Sequence, residues 1–140
     1  MTSDNLQNLV GIGKLTKEPP SADELAGLRR SGESRLSDAE RTDLSFESRF
    51  DLAYNAAHAL ALYALRRLGY RPKNRYVVFQ ALPHTVGLKT GHWRVLAKAH
   101  ATRNTAEYEG YLEQDELLLA DMIAATRALV DTLPEGGSEP

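Results

Sequence analysis

The sequence predicts an all-α fold, an antiparallel helical bundle of four main helices with shorter ones added. Three observations carry that expectation. Apolar residues recur at helical spacing over long stretches. β-Branched residues are sparse, and the one strand-like run, Tyr76 to Phe79, lies inside a helical-looking segment. Pro, Gly and capping residues stand where such helices would start and stop. Residues 1–134 are expected to form one domain, with EGGSEP (135–140) as a flexible tail.

Taken in order, residues 4–14 suit a short helix on Leu6, Leu9, Val10 and Leu15, weakened by Gly11 and Gly13. Pro19 and Pro20 end that unit. Ser21 and Glu24 have capping-box spacing and open a second helix through Leu25, Leu28 and Leu36 to about Ala39, with Gly32 as a weak point. Its Arg29, Arg30, Arg35 and Arg41 alternate with Glu33, Asp38 and Glu40, the pattern of a solvated face.

The third helix runs from Ser45 to Leu68, stopped by Gly69 and Pro72. Its apolar residues leave little of the circumference polar. Such a helix is the buried centre of a bundle, or also contacts a second subunit. A shorter fourth helix covers about Asn74 to Leu82, ending near Pro83. The fifth spans Thr90 to Gly110, and the sixth runs from Asp115 to just before Pro134.

Composition narrows the function classes. A 42% hydrophobic and 26% charged chain is that of an ordinary soluble globular protein. A net charge of −2 argues against a general nucleic-acid coat. The absence of cysteine removes disulfides, thiolate nucleophiles and cysteine-based zinc sites together. The N-terminal MTSDNLQNLV has no charged region followed by an apolar run, and Leu52 to Leu65 is too short and too interrupted to span a bilayer. A cytoplasmic protein without a membrane partner is expected.

Two polar ridges stand out on helices that should face a core. On the fifth helix, Trp93, Leu96, Ala97, His100, Asn104, Glu107, Tyr108 and Tyr111 project to one face at 100° per residue, with Arg103 at its edge. The face is apolar in its first turn and polar thereafter. On the third helix, Asp51, Asn55 and His58 form a second ridge at i, i+4 and i+7. Polar groups on a packing face cost about 1–3 kcal/mol each unless bonded. The ridges are therefore either a mutually satisfied network or the walls of a cleft, within one bundle or across a dimer seam.

Other chemistries lack support. His58, His84, His92 and His100 show no HExxH or di-iron spacing, so no metal or other cofactor is expected. No serine sits in a nucleophile elbow, and Gly11-Ile-Gly13 is too short for a phosphate loop. The basic cluster Arg66, Arg67, Arg71, Lys73 and Arg75 reads as helix-end compensation and solvation. With Tyr70 and Tyr76 interleaved, it is alternatively a grip on RNA. The sharpest local motif is Arg103-Asn104-x-x-x-Tyr108. In it Arg103 either pairs with Glu107 at i,i+4 or serves as an anion clamp, with Asn104 orienting and Tyr108 supplying a hydroxyl.

Residues 45–130 resemble the HEPN family, the all-α domains of prokaryotic toxins and nucleotidyltransferase partners. The resemblance rests on FDLAYNAAHALALYALRRLGY (50–70), NRYVVFQALPHTVGL (74–88) and AKAHATRNTAEYEG (97–110). The family's motif is R-x(4–6)-H, with a polar residue, often Asn, after the Arg. Its active members are metal-independent ribonucleases whose motifs meet across a dimer interface. There the Arg and His handle the scissile phosphate and activate the ribose 2′-hydroxyl. Arg103 and Asn104 match the motif, while Tyr108 stands where the His would fall. A phenol of unperturbed pKa near 10 is a poor base at neutral pH. His100, on the same face, is the alternative imidazole.

The resemblance implies a homodimer through the third and fifth helices. It also implies a module binding nucleotide, RNA or a nucleotidyltransferase-type partner at the Arg103–Asn104–Tyr108 face, in a toxin–antitoxin or defence setting. Two other readings stay open. One is an active metal-independent endoribonuclease using Arg103 with Tyr108 or His100. The other is a structural dimerisation module in which Asp51, Asn55, His58, Asn104 and Glu107 are buried glue.

Overall fold

A computed structural model describes residues 4–134. Seven helices and one two-stranded ribbon make up the described chain. In order they are α1 (Asp4–Gly11), β1 (Leu15–Lys17), α2 (Ala22–Ala39), α3 (Phe46–Arg66), β2 (Tyr70–Pro72), α4 (Arg75–Gln80), α5 (Leu82–Thr85), α6 (Thr90–Glu109) and α7 (Glu116–Thr132). The chain is thus mainly helical. The expected tail at 135–140 lies outside the described residues.

The helix starts follow the capping chemistry. Glu24 N–H donates to Ser21 Oγ at 3.1 Å, and Ser21 N–H donates to the Glu24 carboxylate at 3.4 Å, completing the capping box of α2. The side chains of Ser45, Asn74 and Asp115 accept from first-turn amides of α3, α4 and α7. Gly110 closes α6 at φ +81°, a left-handed conformation that a side chain would resist.

The core is built around α3. Phe50, Ala53, Tyr54, Ala57, Leu60, Ala61, Ala64 and Leu65 are all buried, and α2 and α7 pack along the helix. Ridge alanines let its neighbours approach closely. The nearly all-apolar circumference of α3 is therefore covered largely within one chain. At Gly32 on α2, a Cβ would meet Leu60 Cγ at 2.5 Å. The expected weak point of α2 is thus a place where the Leu60 side chain of α3 packs directly on the α2 backbone. α6 packs on α7 and α4, and reaches α3 through fewer residues.

Three local expectations are corrected. Leu15, assigned to the face of the first helix, lies in β1, and β1 pairs antiparallel with β2 in the register Leu15↔Pro72, Thr16↔Arg71, Lys17↔Tyr70. Three-residue strands are too short to show a period of two. Pro83 does not simply end a helix. It opens the one-turn α5, where its missing N–H costs nothing.

The third correction concerns Arg66, read as a solvated helix-end cation. It is fully buried. Its Nε and Nη2 donate to the two oxygens of Glu24 at 2.8 and 3.1 Å. Nη1 donates to the carbonyls of Glu18 and Tyr70, and Nη2 also to that of Pro19. Arg71 donates to Glu18 and Glu24 from the exposed side. These arginines hold both carboxylates below their ordinary pKa, the Arg71 bond acting chiefly on Glu18 and the Arg66 bond on Glu24.

Two variants test this packing. Glu24→Ala removes the capping box and leaves Arg66 short of its carboxylate, so urea denaturation should show a loss of about 3 kcal/mol. A loss below about 1 kcal/mol, the range of an exposed pair, would refute the role. Gly32→Ala should lower the melting temperature although Ala favours a helix interior by about 1 kcal/mol over Gly. A rise would mean that Leu60 yields readily.

Candidate functional site

The polar ridges of α3 and α6 are bonded through one expected pair, Asp51 with Arg103, and otherwise through Tyr54, at a phase slightly different from the one expected. The buried line of α6 is Leu96 and Ala99, followed by partly covered Arg103 and Ala106. That line is rotated from the Trp93–Ala97–His100–Asn104–Tyr108 ridge by a fraction of a turn. His100 and Arg103 consequently face α3, while Asn104 and Glu107 are exposed. Tyr108 is 94% exposed, so of its two expected placements, inward or toward a second subunit, the inward one is not seen.

Tyr54 is the centre of the assembly. Its ring is buried, and the Arg103 guanidinium lies over it at 4.9 Å from the centroid. Its hydroxyl is 2.9 Å from His100 Nδ1. The Asn104 amide donates to His100 Nε2 at 3.1 Å, which leaves the neutral ring's proton on Nδ1 for the Tyr54 hydroxyl. Arg103 also pairs with Asp51 at 3.4 Å and with Glu107 at 2.9 Å. Both carboxylates are exposed, so these pairs orient the guanidinium more than they stabilise the fold.

The remaining sites divide. Asn55 donates to the Asp51 carbonyl of its own helix at 2.9 Å and is absorbed there. His58 sits edge-on to Phe79 at 6.2 Å, and the same ring lies 6.1 Å from His100. Burial, then the positive charge of Arg75 and the neighbouring His100, pushes the His58 pKa down to about 4. His100 is lowered as well, by burial and then by Arg75 and Arg103. Both imidazoles are therefore neutral at pH 7.

Three contributors escaped sequence reasoning. Tyr54 stands four residues after Phe50 and four before His58, a spacing that placed it on their ridge. Arg75 and Tyr76 were grouped with the basic cluster, whereas α4 carries them to His100. Tyr76 lies 5.9 Å from the imidazole, ring to ring, and remains 42% exposed. Among the described residues, no three His, Asp or Glu side chains are grouped so as to hold a metal ion, and no helix is long and apolar enough to cross a membrane.

Comparison of the chain with protein-family models, with curated proteins and with solved structures gives no match.

The lowered His58 pKa has a consequence for stability. The folded protein binds fewer protons than the unfolded chain between about 4 and the ordinary value of 6.5. Stability is therefore full above pH 6.5 and falls as the pH drops towards 4, by at most about 3 kcal/mol from this group. His100 adds a term of the same sign. Urea midpoints across that window should show the slope, and His58→Phe should flatten it. An unchanged slope in the variant would exclude His58 as its source.

Proposed function

We propose that this protein is a HEPN-like helical module that binds RNA or nucleotide on the face formed by α4 and α6. The observation that carries the reading is the position of Arg75 and Arg103 around neutral His100, beside an exposed Tyr76 ring and the Asn104 amide. Arg75 has no carboxylate partner among the described residues. Its charge is available to a phosphate, and an arriving phosphate relieves the repulsion that disfavours imidazolium. Tyr76 offers a ring on which a base can stack. Exposure of Asn104, Glu107 and Tyr108 counts against the stripe being glue inside one subunit.

The family likeness supplies the rest of the proposal. Two copies would pair through the exposed flank of α6, bringing two Arg103–Asn104 motifs together. A nucleotidyltransferase-type partner and a toxin–antitoxin or defence role follow from likeness alone.

A second reading is favoured by one contact. His100 lies beside Arg103 through their shared Tyr54, so an imidazole is present although Tyr108 replaces the motif His. When a ligand displaces Asn104, Nε2 becomes free to take a proton from a ribose 2′-hydroxyl, with Arg103 or Arg75 at the phosphate. This is metal-independent ribonuclease chemistry.

Fluorescence polarisation with a labelled single-stranded RNA tests the binding. Arg75→Ala should weaken it at every sequence tried and reduce the slope of log affinity against log salt by about 1. Arg103→Ala should act likewise without a large loss of stability. Binding unchanged in both variants would refute the assignment of the face. Cutting of the RNA in EDTA, lost in His100→Ala with binding kept, would establish the second reading. Intact RNA would reject it.

A further inference from the structure

Arg103 has a second side. Between the N-terminal half of α3 and the C-terminal end of α6 runs a groove of about 350 Å³. Phe50, Ala106, Tyr111 and Leu112 give it an apolar lining, and Glu47, Asp51 and Glu107 stand along it with Arg103 as the single cation. Three carboxylates against one guanidinium make the groove net negative, even with both Arg103 pairs formed. Glu47 has no hydrogen bond or ion pair among the described residues. A phosphate is therefore repelled here.

A second observation points the same way. The last turn of α6 carries Glu107 and Glu109 and no basic residue. Helix C-termini hold partial negative charge and favour cations, so two glutamates there oppose the stability of their own helix. Of the two, Glu107 lines the groove; Glu109 is exposed, has no ion pair among the described residues and lines the adjoining cleft that also holds Lys98. Beyond Gly110, Tyr111 remains 64% exposed at the groove. An exposed aromatic ring beside a groove whose carboxylates outnumber its one cation suits a guanidinium or ammonium group with an apolar stem.

We propose that this groove docks a basic segment of a partner protein. An arginine or lysine side chain enters between Glu47, Asp51 and Glu107, and its apolar neighbours rest on Phe50, Tyr111 and Leu112. Charge complementarity selects this occupant over a nucleic acid or an acidic peptide. The segment takes over carboxylates that now hold Arg103, so docking also leaves that guanidinium freer to turn towards the α4 face. The docking itself does not depend on what the α4 face binds.

The test uses a fluorescein-labelled peptide of alternating arginine and leucine, with the full chain, in polarisation assays at low and moderate salt. The peptide should bind, and binding should weaken as salt rises. Glu47→Lys, at an exposed position in the first turn of α3, should weaken it by about tenfold, with an unchanged circular-dichroism spectrum showing that the helix start survives the charge reversal. Asp121→Lys, an equal charge change on exposed α7, should leave it within about twofold. A peptide with glutamate replacing arginine should not bind. Equal losses from both lysine variants would mean general attraction to an acidic protein and would overturn the proposal, as would binding of the glutamate peptide or failure of the arginine peptide to bind. Since RNA is absent from this assay, its outcome is separate from that of the α4 face.

Discussion

The buried guanidinium of Arg66 is the constraint on which the rest of the architecture depends. A charge at that depth is tolerated only when paired and fully hydrogen-bonded. All five of its N–H groups find oxygen: two on Glu24, and one each on the backbone carbonyls of Glu18, Pro19 and Tyr70. Those partners come from the β1–α2 connection, the first turn of α2 and the ribbon strand β2. One side chain at the end of α3 thereby fixes where α2 begins and where the ribbon crosses. Glu24 serves the cap and the ion pair together, so helix initiation and tertiary closure share one carboxylate.

The candidate site uses that rigid frame differently. Its polar groups are bonded to one another, yet the bonds lie at the surface and are exchangeable. Tyr54 is anchored in the core and presents one ring to Arg103 and one hydroxyl to His100. Arg103 is held between carboxylates, and the imidazoles lie near uncompensated positive charge. Arg103 thus belongs both to a negative groove and to a positive face.

Much of this was legible from residue spacing. Ser21 with Glu24, Ser45, Asn74 and Asp115 marked helix starts because short polar side chains satisfy first-turn amides wherever tertiary packing leaves them room. Gly69 and Gly110 marked stops because left-handed backbone favours glycine. The contact of Asp51 with Arg103 followed from two ridges on neighbouring helices. Their phase did not. A shift of one position along α6 separates an inward Arg103 from an outward Tyr108, and α6 is too evenly mixed in polarity for its pattern to settle that rotation. The ribbon and the burial of Arg66 were invisible for another reason: both come from partners some 50 residues apart, and a local window sees only a cation at a helix end.

The close approach at Gly32 reaches beyond stability. With Leu60 filling the space that a Cβ would need, positions 32 and 60 share one volume. A larger residue at one demands a smaller residue at the other. Along any lineage that keeps this fold, the two positions are therefore expected to covary, and their joint substitution would be a molecular fingerprint of the α2–α3 contact.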